Sequence, residues 1–348
     1  MAKIGLVRRI FRRVEVGAFI GAAVVWIFFA VITPNIWLTV TGVSRILDSA
    51  STLGIMAVAV ALLMIGGEFD LSTGVMTGTT GLIAGMLATQ LHMNIWPAML
   101  ISLVFALVVG YFNGWMVVNT RLPSFIVTLA TFFLLRGANV GVTRLVTARV
   151  LVSNIDQAIG FMSARNIFDL EFNLLGTQFR TSTIWWIVIA VIATWVLQRT
   201  RYGNWIFAAG GDVNAARNMG VPSDRVKISL FIITAVAAWL VGMMGIVRLR
   251  SSVASEGIGQ EFIYIIAVVT GGNLLTGGYG SVVGACIGAL IFGMAQVGIV
   301  FAGWDTDWFY SFLGIMLLVA VLVNNYTRKQ AEAVSVAAAK ARTEKEVT

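Results

Sequence analysis

The chain has 348 residues, 58% hydrophobic and only 11% charged, with a mean hydropathy of +0.89. Soluble domains carry about 25% charged residues, so this composition excludes a soluble globular domain and predicts an all-α polytopic membrane protein. The net charge is +8, but the cations stand at the ends of apolar runs, where they set orientation and meet anionic lipid; no nucleic-acid partner is expected. One cysteine, Cys286, and one histidine, His92, give no basis for an intrachain disulfide, a metal cluster or a cofactor.

A basic start (Lys3, Arg8, Arg9, Arg12, Arg13) precedes an apolar run with no small-residue cleavage site. Residues 16–36 therefore read as a retained first span. Residues 46–66 form the second, with Asp48 at its outer end. Residues 71–120 contain no Asp, Glu, Lys or Arg, enough for two spans broken near 94–97. Residues 122–143 form the fifth. Residues 141–180 are more polar and irregular, predicting an outer loop with a short surface helix. A short sixth span covers 183–198 and a seventh 228–247. The uncharged run 262–304 is interrupted at 271–280, which predicts an eighth and a ninth, and 308–326 forms the tenth. Pro34, Pro97, Pro123 and Pro222 all fall at proposed ends, where a missing N–H does least harm. Trp37, Trp96, Trp185, Trp304 and Trp308 do the same, as an aromatic belt would.

Ten spans place both termini on one side. The basic residues 1–15, the loop 198–228 and the charged tail 327–348 then share that side, which the positive-inside rule makes the cytoplasm; residues 16–326 form the transmembrane domain. Arg144, Arg149, Arg165, Arg180, Arg248 and Arg250 fall outside. They read either as a solvated rim or as cations that dock an acidic partner.

Residues 198–228 are the only internal stretch that is both polar and cationic. Asp212 sits where a helix N-cap is expected, since its carboxylate can accept from first-turn amides. Residues 213–219 then read as a short helix, with Gly220 at C′ and Pro222 blocking continuation. Ser223 or Asp224 is expected to cap the next long helix.

Residues 55–86 and 263–294 echo one another. In each, an apolar run meets a glycine pair (Gly66-Gly67, then Gly271-Gly272), a polar turn follows, and then a helix of small residues. Gly74 and Gly78 form one GxxxG; Gly280, Gly284 and Gly288 extend another, a spacing that lets backbones approach closely in lipid. The order predicts a parallel internal repeat with glycine-broken helices, as transporters use. Glu68 and Asp70 lie in the first break. Asp70 is expected to cap the following helix, and Glu68 reads as an interfacial charge or a gate. Arg136 lies deep in the fifth run, where it either snorkels or faces a polar path.

Three stretches together resemble the permease subunits of ribose/xylose/arabinose/galactoside-type ABC importers. GGEFDLSTGVMTG (residues 66–78) is similar to that family's GG-x-D-L-S-x-G signature. GGDVNAARNMGVPSDRVK (residues 210–227) resembles its cytoplasmic loop, with Asn214, Ala215, Ala216 and Gly220 at the E-A-A…G positions. GGNLLTGGYGSVVGACIGAL (residues 271–290) resembles its late glycine-rich segment. The resemblance implies a ten-span subunit of the type II importer kind in a bacterial inner membrane, paired with a second permease subunit. It implies a separate ABC ATPase that receives the cytoplasmic helix through Asp212, Asn214, Ala215, Ala216, Arg217 and Gly220, and a soluble sugar-binding protein outside. No G-x-x-x-x-G-K-[ST] occurs in the chain, in keeping with hydrolysis on a partner. The path walls are expected near Glu68, Asp70, Arg136, Asn273 and Gln296. An ion-coupled secondary transporter is the alternative. Paired acids at mid-membrane would mark it, and the acids here cluster at span ends.

Overall fold

The computed structural model describes residues 14–319 and Leu322; the basic start and the charged tail lie outside that range. In chain order the helices are α1 (Val14–Ile32), α2 (Pro34–Trp37), α3 (Val40–Ile65), α4 (Thr73–Gln90), α5 (Ile95–Thr120), α6 (Ser124–Thr147), α7 (Phe161–Phe168), α8 (Thr181–Arg199), α9 (Arg201–Gly211), α10 (Val213–Asn218), α11 (Ser223–Leu249), α12 (Gln260–Thr270), α13 (Val282–Phe301) and α14 (Trp308–Val319). Four short strands, β1 (Leu151–Val152), β2 (Glu171–Leu174), β3 (Thr177–Arg180) and β4 (Ser252–Val253), pair as a β2–β3 hairpin and a β1–β4 ladder. Among the described residues seven helices are long and apolar enough to cross a bilayer: α1, α3, α5, α6, α8, α11 and α13. The architecture is all-α and multi-pass.

The core is built around α3. Every residue from Gly54 to Ile65 is buried, because α11, α12, α13 and α8 pack on it from all sides. The peripheral helices do the reverse. Val104 and Val108 on α5, Leu134 on α6 and Val191 on α8 are exposed, which costs nothing where lipid replaces water. Trp96, Trp304 and Trp308 are exposed near helix ends, as the belt requires. Trp37 is a correction: it is fully buried against Trp26 and Phe29, because the short helix α2 turns it inward.

The repeat is visible in the backbone. α3 ends with Gly66 at φ −68° and Gly67 at +84°, and α12 ends with Gly271 at −69° and Gly272 at +92°. Glu68 N donates to Leu63 O and Gly67 N to Met64 O; Asn273 N donates to Val268 O and Gly272 N to Val269 O. Both ends are thus the same Schellman cap, in which glycine supplies the positive φ at C′.

Beyond the caps the copies diverge. The second break stays at the helix end, where Asn273 staples it shut: its side chain donates to Val268 O and Ser281 O and accepts from Ser281 N at 2.8 Å. The first break climbs into the bundle. Phe69 N reaches Ser124 Oγ, Leu71 N reaches Thr128 Oγ1, and Asp70 Oδ2 accepts from Thr234 Oγ1. Thr234 stands about 16 Å along α11 from Ser223, at 1.5 Å per residue. Asp70 Oδ1 accepts from Ser72 N at 2.8 Å and Ser72 Oγ at 2.5 Å. It therefore shapes the turn ahead of α4, and the N-cap position is held by Ser72.

The eighth expected span is also corrected. α12 has 11 residues, about 16 Å, half of a hydrocarbon core of roughly 30 Å. The other half is crossed without a helix. After β4 the chain runs down the glycine face of α4, passing Gly81, Gly78 and Gly74 in turn; a methyl group at Gly78 would overlap Glu256 O, and one at Gly74 would lie 2.5 Å from Gly257 O. Small residues at GxxxG spacing here admit a run of tight turns, with Gly257 at φ +80° and Gly259 at +89°, rather than a second helix. Non-helical backbone at this depth is tolerated because it is enclosed by protein. On α13 the spacing works as expected: Gly284 and Gly288 face the backbone of Gly271 and Ala267.

Candidate coupling face and solute path

At one end of the bundle α8 hands over to two short helices. The first, α9, forms where the sequence was expected to be loop. Thr200 caps it, accepting from Gly203 N at 3.2 Å, and Ile206 and Ala209 are buried beneath it. A capping threonine followed by apolar Tyr202, Ile206 and Ala209 at helical spacing was the available signal. Burial pushes the Tyr202 phenol above its ordinary pKa, while its 2.5 Å bond with Ser229 Oγ pulls the other way.

The second helix, α10, is as expected. Asp212 Oδ1 accepts from Asn214 N at 2.9 Å and Ala215 N at 3.0 Å. Gly220 has φ +79°, and Val221 N returns to Ala216 O, a third Schellman cap. Arg217 pairs with Asp224 at 2.5 Å. The next helix is not capped by Ser223 or Asp224: Pro222 occupies the N-cap, and Asp224 lies in the first turn. Ala216 is buried, whereas Asn214, Ala215 and Asn218 are exposed and Met219 is 84% exposed. The result is a rigid knob with an apolar tip, and Met219 is the tip residue that sequence motifs did not single out.

The knob is carried by the end of α9, which lies on a junction of three glycine pairs. Gly278 N donates to Ile65 O at 2.8 Å, joining the two breaks. The end of α9 lies across them: a Cβ at Gly210 would overlap Ile65 O and come within 2.8 Å of Gly278 N and 2.9 Å of Gly66 C. One at Gly277 would come within 2.6 Å of Gly67 Cα. Backbone therefore touches backbone between the loop and both broken helices. Beside the junction, Lys227 on α11 bonds the buried Glu68, so Glu68 is one half of an internal ion pair.

At the opposite end the arginines divide. Asp169, almost fully buried, accepts from Arg180 Nη1 at 2.5 Å and Arg248 Nη2 at 2.9 Å; Asp48 accepts from Arg248 Nη2 at 2.9 Å; Glu171 pairs with Arg180 at 2.5 Å. Burial opposes the Arg180 charge, but the bond to Asp169 and the charges of Asp169, Asp48 and Glu171 raise its pKa. This cluster ties α3, α11 and the hairpin together. Arg144, Arg149 and Arg250 are exposed and Arg165 half-buried, with no ion pair among the described residues.

Next to the cluster, a cavity of about 450 Å³ opens between α3, α12, α13 and the start of α14. Ser49, Gln260, Tyr264, Gln296 and Asp307 supply polar groups, and Phe292 and Tyr310 supply ring faces. Gln296 Oε1 accepts from Ser49 Oγ at 2.6 Å. Asn113, buried on α5, links Ser72 Oγ to Thr131. Arg136 is exposed on α6, and its charge acts on Glu261 in the first turn of α12. Of the five expected path residues, Glu68, Asp70 and Asn273 thus gather at the two breaks, while Gln296 and Arg136 stand elsewhere. Among the described residues no group of His, Cys, Asp and Glu is arranged to hold a metal.

Residues 42–321 match a family model described as branched-chain amino acid transport system / permease component. The chain is 27% identical to the xylose transport system permease protein of Haemophilus influenzae, over 89% of this chain and 96% of that one. It is 31% identical to the ribose import permease protein of Escherichia coli, over 84% and 88%. It is 28% identical to the fructose import permease protein of Rhizobium meliloti, over 88% and 83%. A capped knob on glycine-broken helices inside a multi-pass bundle, together with these matches, places the chain in the family of transport-system permease components that includes the xylose, ribose and fructose permeases of sugar-type ABC importers.

Proposed function

We propose that this chain moves a monosaccharide or a related polyol across a bacterial inner membrane, with the α9–α10 end in the cytoplasm. A second permease subunit completes the path, a separate ATPase drives it, and a soluble sugar-binding protein delivers the solute from outside. The observation that carries this reading is the seating of α9, from which α10 projects. A push on the exposed face of α10 passes through α9, whose Gly210 meets Gly66, Gly67, Gly277 and Gly278 backbone to backbone, and so biases both broken helices between two packings. Asp212, Asn214, Ala215, Arg217, Met219 and Gly220 present that face; Ala216 anchors it. The cavity beside Gln296 suits a sugar, since its amide, hydroxyl and aromatic groups match hydroxyls and ring faces, and its size falls in the range of small-molecule sites. The relatives named for xylose, ribose and fructose support the same solute class.

The test is uptake by proteoliposomes that contain permease, ATPase and binding protein. Gly220→Val is expected to reduce uptake about tenfold while ATP hydrolysis continues, because a β-branched residue resists positive φ at a cost of about 1–2 kcal/mol and distorts the end of α10. Normal coupling in this variant, or full uptake by the permease alone on an ion gradient, would sink the reading. At the other end, reversing Arg144, Arg149 and Arg250 to glutamate is expected to weaken binding-protein docking, most at low salt, where screening is least. Docking affinity that does not vary with salt in wild type or variant would remove these arginines from the interface.

A further inference from the structure

A second cavity, of about 550 Å³, lies between α8 and α13 on the lipid side of the bundle. Its walls are apolar: Trp186, Ala190, Val191 and Trp195 on α8, and Val283 and Cys286 on α13. Small Ala190 between two indoles leaves a slot rather than a flat face. The slot runs from Trp186 to Arg199, about 20 Å along α8, which is longer than one leaflet of a hydrocarbon core of roughly 30 Å. It is therefore long enough for a single acyl chain to lie along it.

The two ends of the groove differ in charge. Gln198 and Arg199 line the slot at the α9 side. Arg199 and, two residues on, Arg201 are both exposed, and neither has an ion pair or side-chain hydrogen bond among the described residues. The acid at this end of α1, Glu15, is engaged by Ser281 Oγ at 2.8 Å. An apolar slot longer than one leaflet that ends beside two guanidiniums, neither ion-paired among the described residues, has the chemistry of a phospholipid site. We propose that this groove holds an acyl chain of an anionic phospholipid from the leaflet on the α9–α10 side, with its phosphate between Arg199 and Arg201. The lipid would brace α8 against α13, directly above the helix pair that carries the coupling knob. The site rests on the membrane placement of α8 and not on the identity of the transported solute.

The test uses the full-length permease, delipidated in detergent and supplied with dioleoylphosphatidylglycerol or dioleoylphosphatidylcholine, with bound lipid counted by native mass spectrometry. Phosphatidylglycerol should be retained in preference to phosphatidylcholine. Arg199→Gln should lower its retention about fivefold, and Arg199→Gln with Arg201→Gln about 25-fold, with little change for phosphatidylcholine. Ala190→Trp should fill the slot and expel both lipids from a protein that still elutes as wild type. Equal retention of the two lipids, or retention that ignores the arginines, overturns the site. So does disulfide formation between two copies of a Thr194→Cys, Cys286→Ala variant in membranes, because the groove would then face a second chain. Lipid retention is read without ATPase or binding protein, so its failure leaves the transport reading standing.

Discussion

Gly210→Val is expected to destabilise the permease by about 3 kcal/mol or more and to abolish coupled uptake, the upper end of what overpacking does. The added side chain meets Ile65 O, Gly278 N and Gly66 C, all backbone, so no flexible side chain can turn aside to admit it. Relief requires α9 to lift from the junction, and lifting α9 carries α10 away from both breaks. The neighbouring position is the control. A Cβ at Gly211 finds its nearest atom 4.0 Å away, so Gly211→Ala should stay within about 0.5 kcal/mol of wild type. Thermal unfolding of the purified chain, read beside ATP-dependent uptake by the full assembly, checks both. Wild-type melting and uptake in Gly210→Val would mean that the three glycine pairs do not meet.

The second large effect is expected at the ion pair between the first break and α11. Lys227→Met strands the Glu68 carboxylate in a site where its side chain is 9% exposed. Removing one partner of a buried pair costs about 3–5 kcal/mol. The double variant Lys227→Met, Glu68→Leu should recover most of that loss, because replacing a buried pair with apolar groups is often near neutral. A double-mutant cycle with a coupling energy of about 2 kcal/mol or more is the expected result. Near-neutral single variants would show that water reaches the pair and that the break is not closed as described. If the double variant folds normally but transports poorly, Glu68 acts in the conformational change as well as in stability.

Much of the site was legible because it is local. Asp212, two and three residues from the amides it caps, and Gly220, which ends the same helix, are each governed by contacts within one helical turn. The glycine pairs announce helix ends for the same reason, since their positive φ is a property of the residue itself. α9 was missed although its pattern is equally local, because its residues read as polar loop beside the more strongly marked α10. The expected eighth span failed on a different ground. Hydropathy reports that residues from 262 onward belong in lipid, but the same composition serves a full span or a half-helix fed by a run of turns.

The sequence by itself determined that the chain lives in a bilayer, where its long helices run, how they end, and which loop carries a capped helix, because hydropathy and capping are sums over neighbours in the chain. Only the tertiary structure decided what meets what. Glu68 and Lys227 are 159 positions apart and Asp48 and Arg248 are 200 apart, and nothing local to either partner selects the other. In lipid, apolar side chains give no preference among neighbouring helices, so close backbone approach and buried polar bonds choose the partners. Those choices exist only once the whole bundle has closed.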